Sequence, residues 1–224
     1  MADASSRVTA TLFSSGARVW EAPAAETDAA LSPEERHYIR NAIKSRRAEF
    51  GTARVLARGA LAELGIPCAS LVPGRDRAPV WPAGATGSIS HAHGYCAVVV
   101  AKSPPVLSIG LDVETLRPLE DGIVAAILTP RERALAAGRA RDARAALALL
   151  FFSAKEAYYK CQYPISSLFL DFQNVEVELD EDAGRFEARA LVPGLPPEVA
   201  RLEGRFAFDS GRVFCGVELL AAHT

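Results

Sequence analysis

The sequence predicts an α+β fold in two pseudo-symmetric halves, each a long helix packed on a small, mainly antiparallel sheet. Three observations predict it. Two capping boxes, Ser32-Pro33-Glu34-Glu35 and Thr129-Pro130-Arg131-Glu132, each open a helical stretch. Short apolar-alternating runs flank glycine-containing turns. Helix and strand follow one another irregularly, which argues against a βαβ sheet. Ser103-Pro104-Pro105 reads as the connector, so residues 1–105 form the N-terminal half and 106–224 the C-terminal half. The two halves share this layout without visible sequence identity.

Val8 to Phe13 is a short strand. A long helix follows Ser32, breaks near Gly51 and stops at Gly65, with Pro67 just beyond. Residues 73–79 are a turn-rich basic loop. Gly87–His91 and Cys96–Ala101 are strands joined around His93-Gly94, and Val106–Glu114 alternates as a further strand. A helix from Thr129 ends near Gly138, and a second runs from about Asp142 to Gln162, ending by Pro164 because the residue before proline disfavours helical geometry. Val175–Leu179, Phe186–Val192, Leu202–Phe208 and Val213–Leu219 close the chain as strands, the last two around the turn at Asp209-Ser210-Gly211.

Composition narrows the function. Half of the residues are hydrophobic, enough for a sizeable core. A net charge of −2 argues against a nucleic-acid binder. No apolar run approaches the roughly 18 residues of a membrane span, and Met1 to Thr11 lacks the pattern of a secretory signal, so a cytoplasmic protein is expected. Cys68, Cys96, Cys161 and Cys215 form no CxxC pair and are expected as free thiols.

Four groups of residues carry candidate chemistry. In Ser108-Ile109-Gly110-Leu111-Asp112-Val113-Glu114, strand alternation sends Ile109, Leu111 and Val113 to the core. Asp112 and Glu114 then share the other face, either as solvated charge or as ligands of a hard cation such as Mg²⁺. Glu156 and Lys160 stand at i and i+4, an ordinary helix ion pair or a pair facing a cleft, and their apolar surroundings suit the second. His91 and His93 have the spacing of a metal pair, but no third ligand lies near. Ser90 and His91 suit phosphate better. Arg47, Arg54 and Arg58 fall on one helix stripe beside Arg46, and Arg75 and Arg77 follow in the basic loop. Guanidinium groups bind phosphate bidentately, although a solvated helix face would look similar. Together these residues are suited to chemistry at a phosphate-rich ligand.

Five motifs in fixed order then resemble a family. They are Arg46-Arg47-x-Glu49-Phe50 with Arg54, Arg77-x-Pro79-x-Trp81-Pro82, Gly87-Ser88-Ile89-Ser90-His91, Ile109 to Glu114, and Phe152-Ser153-Ala154-Lys155-Glu156-Ala157-x-Tyr159-Lys160. In this order the chain resembles the 4′-phosphopantetheinyl transferases. It is most similar to their long, monomeric, two-half class, which activates siderophore, polyketide and peptide synthetases. The likeness runs from about Ser32 to Phe172. It is loose over the first 30 and last 50 residues. Leu111 and Val113 stand where the family often has Ile.

The resemblance implies coenzyme A as substrate, bound in a cleft between the halves, and a serine of an acyl or peptidyl carrier protein as acceptor, with release of 3′,5′-ADP. Asp112, Glu114 and Glu156 would hold Mg²⁺, or Mn²⁺, with the CoA pyrophosphate, which Lys160 would also pair. His91 and an arginine of the first helix (Arg46, Arg47 or Arg54) would bind the 3′-phosphate, with Ser90 adding a hydrogen bond. Arg75 and Arg77 would contact the nucleotide end. Glu156 would take the serine proton, directly or through a metal-bound water. Two alternatives stay open: a metal-dependent nucleotide phosphohydrolase, and a non-catalytic CoA-binding adaptor. A loop after Lys160 carrying Tyr163, Ile165, Leu168 and Phe169 is expected to meet the carrier protein, or else to cover the C-terminal sheet.

Overall fold

In the computed structural model, residues 9–14, 16–74 and 77–222 are described. Ser32 and Thr129 both close capping boxes, with the Glu35 and Glu132 carboxylates reaching back to the cap amides. They start α1 (Pro33–Tyr38) and α4 (Pro130–Ala137), and Gly138 ends the latter. The long helices are α2 (Lys44–Glu63) and α5 (Arg141–Ser166), and two short ones are α3 (Asp121–Ile127) and α6 (Pro197–Ala200).

The strands are β1 (Arg18–Pro23), β2 (Ala85–Ala92), β3 (Tyr95–Lys102), β4 (Val106–Thr115), β5 (Val175–Asp180), β6 (Arg185–Ala190), β7 (Arg201–Asp209) and β8 (Arg212–Leu220). They form a three-stranded sheet in the order β1-β3-β2 and a five-stranded one in the order β4-β8-β7-β6-β5. Every ladder is antiparallel. The hairpins β2-β3 and β7-β8 turn on His93-Gly94 and Ser210-Gly211, both residues of each pair having positive φ.

Helix α2 covers one face of β3 at Cys96, Val98 and Val100. The other face, at Ala97, Val99 and Ala101, meets Ile109, Leu111 and Val113 of β4 in a core between the sheets. Helix α5 covers Val213, Cys215 and Val217 of β8 from the far side. The molecule is thus layered helix, sheet, sheet, helix, and all four cysteines are free.

Three local expectations are corrected. Thr9–Leu12 is a 3-10 helix, not a strand, with Val8 outside the described residues, and β1 comes later. Leu12 and Phe13 pack into the inter-sheet core.

The first long helix breaks at residues 39–43, not near Gly51. The buried Glu35 bonds Arg58 Nη1 at 2.7 Å. In one continuous helix those residues would lie about 35 Å apart at ~1.5 Å per residue, so the chain must turn between them. Gly51 sits inside α2, where a Cβ would come within 2.1 Å of Thr27 Oγ1, so it is a packing glycine.

Helix α5 continues through Pro164 to Ser166. The missing amide is compensated by a cap: Ser167 in the left-handed region donates to Tyr163 O at 2.8 Å, and Gln162 Nε2 donates to Leu168 O at 3.0 Å.

Candidate active site

Gly110 decides how closely helix α5 meets strand β4. A Cβ there would fall 1.9 Å from the Ala157 carbonyl oxygen, so only glycine permits this approach. Ser108 Oγ, two residues earlier on the same face, donates to Cys161 O at 2.6 Å. The approach brings Lys160 Nζ to 2.7 Å from Asp112 Oδ1. Asp112 is 3% exposed, and its Oδ1 also accepts from Ser90 Oγ at 2.9 Å. Its Oδ2 is buried without a partner.

Glu114 and Glu156 complete an acidic group. Burial, then the Asp112 charge, pushes Glu114 up to about 7. Burial is also the main cause raising Glu156, opposed by Lys160 and reinforced by Asp112. Three carboxylates thus share one ammonium, and burial together with the Asp112 charge favours the protonated forms of Glu114 and Glu156.

A cleft of about 470 Å³ opens over this group, lined by Trp81, Ser88 and Ile89 from one half and Glu156, Tyr159 and Lys160 from the other. Through Arg77, Pro79 and Ile89 it continues into a smaller hollow of about 160 Å³ lined by Arg46, Arg54 and His91. Arg54 lies 3.8 Å over the Phe50 ring and donates to Leu71 O at 3.0 Å. Burial lowers it to about 10, which leaves it cationic at neutral pH. His91 contacts Arg46 and lies 3.4 Å from Glu49. Burial, then Arg46, holds His91 below its ordinary value.

The arrangement suits a ligand with two phosphate groups, the cationic hollow taking one and Lys160, with a cation held by the carboxylates beside it, the other. The description "4′-phosphopantetheinyl transferase N-terminal domain" matches residues 34–101, and "4′-phosphopantetheinyl transferase superfamily" matches residues 108–201. The chain is 43% identical over 195 residues to the 4′-phosphopantetheinyl transferase Svp of Streptomyces mobaraensis, covering 85% of this chain and 79% of the relative. It is 36% identical over 196 residues to PptT of Mycobacterium tuberculosis, covering 84% and 85%. It is also 36% identical over 149 residues to enterobactin synthase component D of Escherichia coli K12, covering 61% and 66%.

The chain belongs to the 4′-phosphopantetheinyl transferases.

The family's name gives 4′-phosphopantetheine as the group that this transferase moves. Its structure separates arginines that the helix stripe made equivalent. Arg46, Arg54 and Arg77 line the cationic hollow. Arg47 instead pairs with Asp28, and Arg58 with the buried Glu35. Arg75 lies outside the described residues. Ser90, expected to bond a phosphate, commits its hydroxyl to Asp112, Val113 and Lys160.

Among the described residues no three His, Cys, Asp or Glu side chains form a ready metal cage, and no helix is long and apolar enough to cross a membrane. A cage is not what Mg²⁺ requires, because it is usually held by one or two carboxylates with substrate phosphate. The unpartnered Asp112 Oδ2 beside two carboxylates of raised proton affinity fits such a cation.

Sequence reasoning passed over two residues. Glu49 receives the Gly94 amide at 3.3 Å and faces His91, so it sets the imidazole's environment. Tyr159 lines the cleft and stacks on Tyr163 at 5.3 Å. Both stand within quoted motifs, but neither spacing showed which way it faces.

Proposed function

We propose that this transferase moves the 4′-phosphopantetheine arm of coenzyme A onto a serine of an acyl or peptidyl carrier protein, in an Mg²⁺-dependent reaction that releases 3′,5′-ADP. The supporting observation is a cleft that adjoins the Arg46, Arg54, Arg77 and His91 hollow through Arg77, Pro79 and Ile89 and is lined at its other end by Glu156 and by Lys160, which pairs with Asp112. The hollow holds the 3′-phosphate and nucleotide end, and Lys160 pairs the pyrophosphate. Asp112, Glu114 and Glu156 are the residues that would hold Mg²⁺ or Mn²⁺ together with that pyrophosphate. When bound, the cation neutralises charge building on the pyrophosphate oxygens.

The serine oxygen attacks the phosphorus that carries pantetheine, and the bond from that phosphorus to the bridging oxygen breaks. The bridging oxygen leaves with 3′,5′-ADP. Glu156, which lines the cleft, takes the serine proton, directly or through a water. Positioning and charge neutralisation supply the rest of the acceleration.

The carrier protein docks beside the end of α5. Phe169 is 78% exposed there, edge-on to Tyr159 at 6.0 Å, with Leu168 next to it. Phe169 and Tyr159 border a small apolar hollow that reaches Glu156.

The test is mass spectrometry of an apo carrier protein incubated with the enzyme, CoA and Mg²⁺. A gain of one phosphopantetheine, abolished by EDTA, supports the reading. Nucleotide release without that gain would make the protein a phosphohydrolase, and CoA binding without turnover would make it an adaptor.

A further inference from the structure

Strands β2 and β4 lie side by side at the seam between the two sheets but share no ladder. Two serine hydroxyls bridge them instead. Ser88 Oγ accepts the Leu111 amide at 3.0 Å, and Ser90 Oγ accepts the Val113 amide at 3.2 Å. The two-residue step on one strand matches the two-residue step on the other, so these bonds set the register of the halves.

Ser90 does more than bridge. Its hydroxyl donates to Asp112 Oδ1 at 2.9 Å and accepts from Lys160 Nζ at 3.2 Å. A hydroxyl has one donor and two acceptor positions. The three partners fill them, and the residue is 5% exposed. A phosphate, which only accepts, could be served only by releasing Asp112 from the one O–H. The neighbouring His91 projects from the opposite face of β2, towards Arg46 and Glu49.

We propose that Ser90 is a positioning residue of the transfer site. It turns Asp112 so that Oδ1 is engaged by Ser90 and Lys160 while Oδ2 stays free for the cation. It thereby makes the carboxylate's orientation depend on the N-terminal half. The proposal rests on the transfer reading above. It assigns the two residues of Ser90-His91 to different ends of the ligand, His91 to the 3′-phosphate and Ser90 to the carboxylate that faces the pyrophosphate.

The experiment compares Ser90→Ala with wild type in three measurements. Transfer to carrier protein is measured with CoA and with dephospho-CoA, and kcat/KM falls about 10–100-fold with both, the usual cost of removing a residue that orients a metal ligand. Mn²⁺ affinity of the protein–CoA complex, read by paramagnetic resonance without any carrier protein, falls by a similar factor. CoA affinity in EDTA stays within about twofold, because the phosphate contacts are intact. Ser90→Cys, of similar volume but a weak hydrogen-bonding group, gives the same pattern should the alanine variant not fold.

A loss confined to CoA over dephospho-CoA would show that Ser90 reads the 3′-phosphate and would overturn the proposal. So would unchanged Mn²⁺ affinity, or a wild-type complex that takes up no Mn²⁺. If the wild type binds CoA and Mn²⁺ but transfers nothing, the transfer reading fails, and the Mn²⁺ measurement still decides the role of Ser90.

Discussion

In the N-terminal half, α2 crosses β1 with Trp20 packed against Gly59, whereas in the C-terminal half α5 crosses β4 with Asp112 beside Lys160. The crossings are equivalent. β1-β3-β2 repeats as β4-β8-β7, and Trp20 and Asp112 pair with Val98 and Cys215, each four residues past its turn glycine. Glu35 and Glu132 are both buried capping-box carboxylates. Each accepts a distant amide, from Leu71 or Val177, and each pairs with a cation of the long helix, Arg58 or Lys155. The next residues are Gly59 and Glu156, and four positions on stand Glu63 and Lys160. Trp20 Nε1 donates to Glu63 at 3.1 Å where Lys160 donates to Asp112 at 2.7 Å. One construction therefore serves two purposes. An indole fills one crossing, while the other holds charged groups at the cleft. The buried Glu–cation pairs hold both helices in place, and removing one partner of such a pair costs about 3–5 kcal/mol.

The sharpest test of the asymmetry is Asp112→Ala. Transfer should drop about 10²–10³-fold with unchanged circular dichroism, because the fold is carried by the Glu132–Lys155 pair and the cores. Near-normal turnover at saturating Mg²⁺ would break the comparison.

The glycine at each crossing gives the next effect, although the two do not occupy equivalent positions. Gly110→Ala meets helix backbone, which cannot yield, whereas Gly59→Ala meets the Trp20 ring. The first should leave little folded protein. The second should lower stability by about 1–3 kcal/mol with kcat unchanged in thermal-melt and kinetic assays.

His91→Ala separates the N-terminal contribution. The loss should be about tenfold greater for CoA than for dephospho-CoA, the scale of one hydrogen bond to a charged group. Equal losses would mean that His91 does not read the 3′-phosphate.

Phe169→Ala should raise the carrier-protein KM several-fold and leave CoA affinity and melting temperature in place. A fall of several degrees with constant KM would assign the ring to packing.

The smallest effect concerns pH. Glu114 is held up to about 7 in the folded chain against an ordinary value of 4.5. The folded state thus binds this proton more tightly than the unfolded state, and stability present below about pH 4.5 declines as pH rises to 7. In EDTA, wild type should lose roughly 2–4 °C more than Glu114→Gln between pH 5 and 8. Parallel profiles would remove Glu114 from the acidic group.

Much of this was legible in the residues. Capping boxes, two-residue turns and the period of 109–114 are decided by sterics and hydrogen bonds among near neighbours. The same rules placed Glu156 and Lys160 on one helix face. Pro164 shows where such a rule gives way, because Gln162, Ser166 and Ser167 rebuild the last turn around it.

The sequence by itself determined the family, the α+β class and the residues of the acidic group, since each rests on local pattern or ordered motifs. Only the tertiary structure decided which arginines face the cleft and what Ser90 holds. Arg47 and Arg58 lie on the same stripe as Arg54, but Asp28 and Glu35, 19 and 23 residues away in the chain, engage them. Ser90 sits 22 residues from Asp112 and 70 from Lys160. A charged or hydroxyl group bonds to whichever partner the packed chain brings within about 3 Å, and spacing along the sequence does not contain that distance.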